Sequence, residues 1–143
     1  MSRTVQITFD AADPEGLASF WAEALGYKPQ PPPPGFATWE QFAIDNDFPE
    51  GELASFFALV DPDHTGPRLF FQKVPEGKAG KNRVHLDVNV TERGHGDTER
   101  RRAIAAEVAR LEALGARRIA EFDEHKGIWT VMQDPEGNEF CIQ

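Results

Sequence analysis

The side chains best suited to chemistry lie in the second half of the chain: His85, Asp87, Glu139 and Cys141. A histidine moves protons near neutral pH, or orients a ligand carboxylate or phosphate. Asp87 stands two residues from His85, so on a strand the two share a face, and the carboxylate can orient or charge the ring. Glu139 and Cys141 are related by the same spacing. A buried cysteine is most often a small inert hydrophobe, and the sequence offers Cys141 no activating base other than His85. An ionised Cys141 beside His85 would be a soft pair suited to zinc. The plain reading of His85 is a histidine satisfying one buried hydrogen bond on a central strand.

These residues are positioned by a unit that the chain states twice. Val5-Gln6-Ile7-Thr8-Phe9-Asp10 leads to a stretch closing on Ala24-Leu25-Gly26, then to Asp61-Pro62-Asp63 and Arg68-Leu69-Phe70-Phe71-Gln72. Val84-His85-Leu86-Asp87-Val88-Asn89 leads to Ala113-Leu114-Gly115 and closes on Asp134-Pro135-Glu136-Gly137-Asn138-Glu139-Phe140-Cys141. The symmetry sets Gln6 opposite His85 and puts Gln72 near the counterpart of Cys141. A shared site is therefore expected between the copies.

Each unit reads as strand, helix and three strands. Leu17, Phe20, Trp21, Ala24 and Leu25 recur at helical spacing, with Asp13 as cap, Pro14 in the first turn and Gly26 as stop. Ile104, Val108, Leu111 and Leu114 form a second stripe, with Asp97 as cap and Gly115 as stop. Alternation over Thr4 to Asp10 sets Val5, Ile7 and Phe9 against Gln6, Thr8 and Asp10. Over Arg83 to Val90 it sets Val84, Leu86 and Val88 against His85, Asp87 and Asn89. The apolar faces are expected to pack on the helices. Further strands are expected over 36–44, 53–60, 68–74, 117–122, 127–133 and 138–142. The predicted organisation is one domain, 1–143, with a first module over 1–76, a linker over 77–81 and a second module over 82–143. The prolines Pro31 to Pro34 are most simply an extended loop.

Composition narrows the function classes. A chain of 143 residues with 40% hydrophobic content can build one core, and a net charge of −9 opposes nucleic-acid binding. Arg100-Arg101-Arg102 sits among Asp97, Glu99 and Glu107 and reads as a solvated helix start. One cysteine excludes an intrachain disulfide framework, and no apolar run approaches membrane-spanning length. The expectation is a cytoplasmic protein with no membrane or nucleic-acid partner. His64, His95 and His125 read as loop residues. Trp129 is a candidate stacking wall for a planar ligand.

With the repeat laid out, the chain resembles the vicinal oxygen chelate superfamily, which includes glyoxalase I, extradiol dioxygenases and bleomycin-resistance proteins. Phe20-Trp21 before Ala24-Leu25-Gly26-Tyr27, Val84-His85-Leu86-Asp87-Val88 and the closing Asp134–Cys141 segment carry the resemblance, which covers nearly the whole chain and is strongest to the glyoxalase-like domain subgroup. It implies an α+β fold of two paired βαβββ modules, their curved mixed sheets around a cup and their helices on the outer face. The implied ligand-facing residues are Gln6, Thr8, Phe70, Gln72, His85, Asp87, Glu139 and Cys141, with Trp129 near the mouth; this assumes that Phe71 corresponds to Phe140.

Metal-dependent relatives bind a divalent ion on the first and last strands of each module, positions that fall here on Gln6, Gln72, His85 and Cys141. Only His85 has the usual ligand type. Two amides, one imidazole and a thiol compensate an ion poorly for lost water, so no conventional metal cofactor is expected. The resemblance therefore implies a binding protein that encloses a small organic molecule, as resistance-type relatives sequester drugs. The alternatives are a metal-dependent lyase, isomerase or dioxygenase and a partner-binding domain without a small ligand. Many relatives dimerise, and a homodimer is the expected assembly.

Overall fold

The computed structural model describes residues 1–143 and divides into two compact units, Met1–Gly77 and Lys78–Gln143. Each unit holds one four-stranded mixed sheet.

In the first unit β1 (Gln6–Ala11) leads into α1 (Pro14–Leu25). The signals starting and stopping α1 are local. The Asp13 carboxylate accepts the Gly16 N–H at 3.1 Å, Pro14 occupies the first turn, and Gly26 at φ 69° closes the helix in the left-handed region that glycine favours. The buried stripe of Leu17, Ala18, Phe20, Trp21 and Ala24 packs on β3 (Phe56–Val60) and β4 (Arg68–Lys73). The strand order is β1-β4-β3-β2, with β2 a short Lys28–Pro29 pairing. β1 and β4 run parallel, in register Gln6↔Arg68, Thr8↔Phe70 and Asp10↔Gln72. Phe9 and Phe71, on the face towards α1, stack at 4.9 Å, and Phe9 meets Trp21 at 5.3 Å.

The second unit has the order β5-β8-β7-β6, built from β5 (Asp87–Val88), β6 (Arg117–Glu124), β7 (Gly127–Gln133) and β8 (Glu139–Ile142). The 17-residue α3 (Asp97–Ala113) covers one face, burying Ile104, Val108 and Leu111 against a sheet face of Met132, Phe140 and Ile142. Period-2 alternation leaves Trp129, Val131, Glu139 and Cys141 on the other face. The Asp134 loop that aims β8 is closed by its own carboxylate. Oδ1 accepts the Glu136 and Asn138 N–H groups, each at 3.0 Å, and both oxygens meet the Asn138 amide.

Several sequence expectations are corrected. The strand expected over 36–44 is instead α2 (Trp39–Asp45), started by Thr38, whose hydroxyl accepts the Gln41 N–H at 3.1 Å. Its aromatics gave it a strand-like composition, yet Trp39, Phe42 and Ala43 lie at helical i, i+3, i+4 spacing and turn inward, leaving Ile44 in solvent. Over 53–60, Glu52–Ser55 form a 3-10 turn and the strand begins at Phe56. Val5 and Val84 do not pack on a helix; they are 72% and 86% exposed, because each precedes the regular pairing of its strand. Only Asp87–Val88 are regular strand in the 83–90 segment. Gly96, not Asp97, caps α3, its N–H donating to Glu99 Oε2 at 2.8 Å, and Leu114 lies partly in solvent. Part of the expected linker belongs to the second unit: Lys78 pairs with Glu139 at 3.3 Å, and the Asn82 N–H donates to the same carboxylate.

Candidate functional site

The face of the second sheet turned away from α3 carries an open cavity of about 390 Å³, within the size range of small-molecule sites. Strand register assembles it. Asp87 is the Cα partner of Cys141 across β5 and β8, and Cys141 is the partner of Val131 across β8 and β7, so a row runs Asp87–Cys141–Val131. One step along, Phe122 pairs with Trp129 across the β6–β7 hairpin. Their rings stack at 5.0 Å with an interplanar angle of 11°. The Lys126 ammonium lies 5.1 Å from the Trp129 ring centroid, a cation–π contact at the hairpin tip.

The polar end is a tight group. His85 Nδ1 lies 2.8 Å from Asp87 Oδ1 and 4.0 Å from Cys141 Sγ. His85 and Asp87 keep about two-fifths of their side-chain surface exposed, whereas Cys141 is buried. Burial, reinforced by the charge of Asp87, pushes the Cys141 thiol up to about 11. It is a neutral thiol at physiological pH and a poor nucleophile. Glu139, on the rim, is held down to about 2, first by the hydrogen bond from the Asn82 N–H and then by Lys78. The cavity therefore offers a stacked aromatic wall, a neutral thiol floor and a His–Asp pair able to exchange hydrogen bonds with a ligand.

The donor atoms of His85, Asp87 and Cys141 lie within 4.8 Å of one another, so the fit to an ion is a direct question. The 2.8 Å between Nδ1 and Oδ1 is a hydrogen-bond length. Two donors bound roughly 2.0–2.1 Å from one tetrahedral ion must stay about 3.3 Å apart. The imidazole nitrogen nearest the group is engaged by Asp87. As placed, the three groups are hydrogen-bonded neighbours, and holding an ion through Nδ1 would require the His85–Asp87 hydrogen bond to open.

Gln6, Thr8, Phe70 and Gln72 lie on the polar face of the first sheet. Gln6 is not brought to Gln72: its Oε1 accepts from Arg68 Nη1 at 2.5 Å, while Gln72 Nε2 donates to Asp10 Oδ1 at 2.7 Å. The four-residue offset along the strand is about 13 Å. The expected correspondence of Gln72 with Cys141, and of Phe71 with Phe140, also shifts by two residues. Asp10 pairs with Gln72, but Asp87, the counterpart of Thr8, pairs with Cys141. By register Cys141 corresponds to Phe70 and Gln72 to Gln143. The amide bonds repeat this equivalence, Gln72 to Asp10 in one unit and Gln143 to Asn89, at 3.0 Å, in the other.

Phe122, Lys81, Lys126, Val131 and Gln143 line the cavity without having been anticipated. Two of them were legible: Val131 and Gln143 share the alternation of Trp129, Glu139 and Cys141. Phe122 follows from the two-residue hairpin loop His125-Lys126 before Gly127, which fixes the β6–β7 register. His125 itself lies in a separate surface recess with Asp123, Glu124 and Lys126.

The sequence matches the glyoxalase-like domain over residues 6–143. No protein of curated function matches it. Among solved structures, FosX from Listeria monocytogenes is a genomically encoded fosfomycin resistance protein, solved as a point mutant in complex with Mn(II) and 1S,2S-dihydroxypropylphosphonic acid. It superposes with a TM-score of 0.66 at 12% identity, covering 100% of this chain and 92% of that one. A glyoxalase/bleomycin resistance protein/dioxygenase family enzyme from Burkholderia phytofirmans PsJN gives 0.59 at 16% identity, covering 97% and 94%. A glyoxalase-related enzyme from Fulvimarina pelagi gives 0.60 at 18% identity, covering 99% and 87%. At these identities the likeness is one of fold, and it agrees with the two βαβββ modules built above. The chain belongs to the glyoxalase-like domain family.

Proposed function

We propose that the protein binds a small planar organic molecule in the second-module cavity, without a conventional divalent-metal site. The observation that carries this is the convergence of the stacked Phe122–Trp129 pair and the His85–Asp87 hydrogen-bonding pair on one cavity of about 390 Å³. Aromatic rings supply apolar area and orientation, and a few placed polar groups supply specificity. A planar heterocycle carrying one exchangeable proton fits this division. The Cys141 floor contributes shape, since a thiol held up to about 11 is a poor nucleophile at neutral pH.

The test uses 4-hydroxyquinoline as probe and the Trp129 indole N–H resonance as reporter. Saturable shifts that persist in chelator and weaken in Asp87→Asn, together with a calorimetric binding signal for the probe that is lost in Trp129→Ala, support the reading. No shift at saturating probe, or probe binding unaffected by Trp129→Ala, contradicts it.

The rival reading is a metal-dependent lyase, isomerase or dioxygenase. Its support is the grouping of an imidazole, a carboxylate and a thiol at one end of the cavity, and the Mn(II) held by the FosX relative. It requires the His85–Asp87 hydrogen bond to open and the thiol to ionise. Stoichiometric nickel, zinc, iron or manganese in untagged protein, lost in His85→Ala, would establish it.

A further inference from the structure

Arg68 stands on the polar face of the first sheet as a fixed cation that no carboxylate neutralises. The chain carries 24 acidic residues against 15 basic ones, yet Arg68 is in none of the seven ion pairs. Neutral amides hold it instead. Its Nε donates to Gln30 Oε1 and its Nη1 to Gln6 Oε1, both at 2.5 Å. The Gln30 carbonyl is in turn tied to the Trp39 indole N–H at 2.9 Å. Guanidinium has five N–H donors in a rigid fork, so three remain after these two bonds. Thr8, in the next row of this face, accepts from the Gln6 amide and keeps its own O–H as a donor.

Beside the cation lies an apolar platform. The Arg68 guanidinium is 5.2 Å from the Phe70 ring centroid, Phe70 stacks on Phe56 at 5.8 Å, and Trp39 meets Phe56 edge-on at 6.4 Å. All four residues are half-buried. Asp10, the acid on this face of β1, lies one row beyond Thr8 and is engaged by Gln72. A half-buried cation costs free energy unless something compensates it, and amide oxygens do so only in part. Partial burial also lowers the Arg68 proton affinity somewhat, without discharging a group of this basicity.

We infer that Arg68, with Thr8 and the Phe70–Phe56 platform, forms a binding site for an organic oxyanion: a carboxylate or phosphonate attached to a flat apolar body. The oxyanion takes the free N–H edge of the guanidinium, and the ring or double bond lies against Phe70. This site is built by the first module alone and goes beyond the second-module cavity.

The experiment titrates benzoate, phenylphosphonate and inorganic phosphate into the whole chain, following the Arg68 Nε–H and Trp39 indole resonances, while Trp129 reports separately on the other module. Benzoate or phenylphosphonate should shift both first-module signals, at least about tenfold more tightly than inorganic phosphate and more weakly at high salt. The preferred probe assigns the head group. Arg68→Lys should weaken binding about tenfold, because the fork is lost although the charge remains. Phe70→Leu should remove the preference for phenylphosphonate over phosphate while leaving anion binding in place, which keeps the test decisive if Arg68→Lys fails to fold. The inference is overturned if none of the probes moves the Arg68 signal, or if Arg68→Lys and Phe70→Leu bind them as the parent does. Either result leaves the Trp129 titration, and the reading it tests, intact.

Discussion

Replacing Glu139 by glutamine removes one charge from the cavity rim while preserving shape, and its cost can be worked out in advance. In the folded chain the carboxylate accepts the Asn82 N–H at 3.0 Å and pairs with Lys78 at 3.3 Å, which brings it from 4.5 to about 2. That depression sets a ceiling of about 3.4 kcal/mol on the stabilisation. The Glu139 side chain is 11% exposed and Lys78 26%, and an open rim is screened by water, so about 1–2 kcal/mol is expected. The folded pKa is depressed, so the contribution is present above about 4.5 and is lost as pH falls through about 2. Urea unfolding of the parent and Glu139→Gln at a series of pH values tests this. The gap should be about 1–2 kcal/mol at pH 7 and should close progressively below about pH 4.5. A gap that stays constant down to about pH 2.5, or is absent at pH 7, would refute the argument.

Further outcomes follow from other contacts. Asp134→Ala strips the Glu136 and Asn138 N–H groups of a buried acceptor and should cost about 3–5 kcal/mol by urea unfolding, whereas Asp134→Asn should cost less. Cys141 should react with iodoacetamide far more slowly at about pH 8 in the folded chain than in urea, and a rate equal to that of a free thiol would contradict its burial and raised pKa. Because the folded pKa is raised, the thiol's contribution to stability is complete below about pH 9 and declines as pH rises towards 11, so Cys141→Ala should narrow its stability deficit over that interval. Gly26→Ala should destabilise by about 1 kcal/mol, since φ 69° suits glycine, and no neighbouring atom would oppose the added methyl; an unchanged midpoint would show that the turn relaxes.

What could be read from the sequence was what is decided locally. The start and stop of α1 rest on Asp13, Pro14 and Gly26, residues adjacent to the events they control, and the apolar stripes of both long helices are buried at Leu17, Phe20, Trp21 and Ala24 and at Ile104, Val108 and Leu111, though not at Leu114. The polar face bearing His85, Asp87, Glu139 and Cys141 followed from simple alternation. What escaped was non-local. The parallel pairings β1–β4 and β5–β8 bring together segments about 60 residues apart, and alternation is the same whichever even offset is chosen, so the two-residue shift between the expected and the observed correspondence of β4 with β8 left no trace in composition. For the same reason Gln6 and Gln72 were expected in one site although Gln6 faces Arg68, and Arg68 itself went unnoticed on its strand. α2 was mistaken for a strand because its aromatic residues have high strand propensity, while the period that decides the matter spans only seven residues.

On the proposed reading, the second-module cavity holds an organic molecule by aromatic stacking and His–Asp hydrogen bonding, with no resident ion. Native mass spectrometry of untagged protein purified without chelator tests it directly, since one spectrum resolves a bound metal and a bound organic molecule. The bare chain or a small organic adduct is expected, with 4-hydroxyquinoline adding to the parent but not to Trp129→Ala. A stoichiometric divalent-metal increment that disappears in His85→Ala would contradict it.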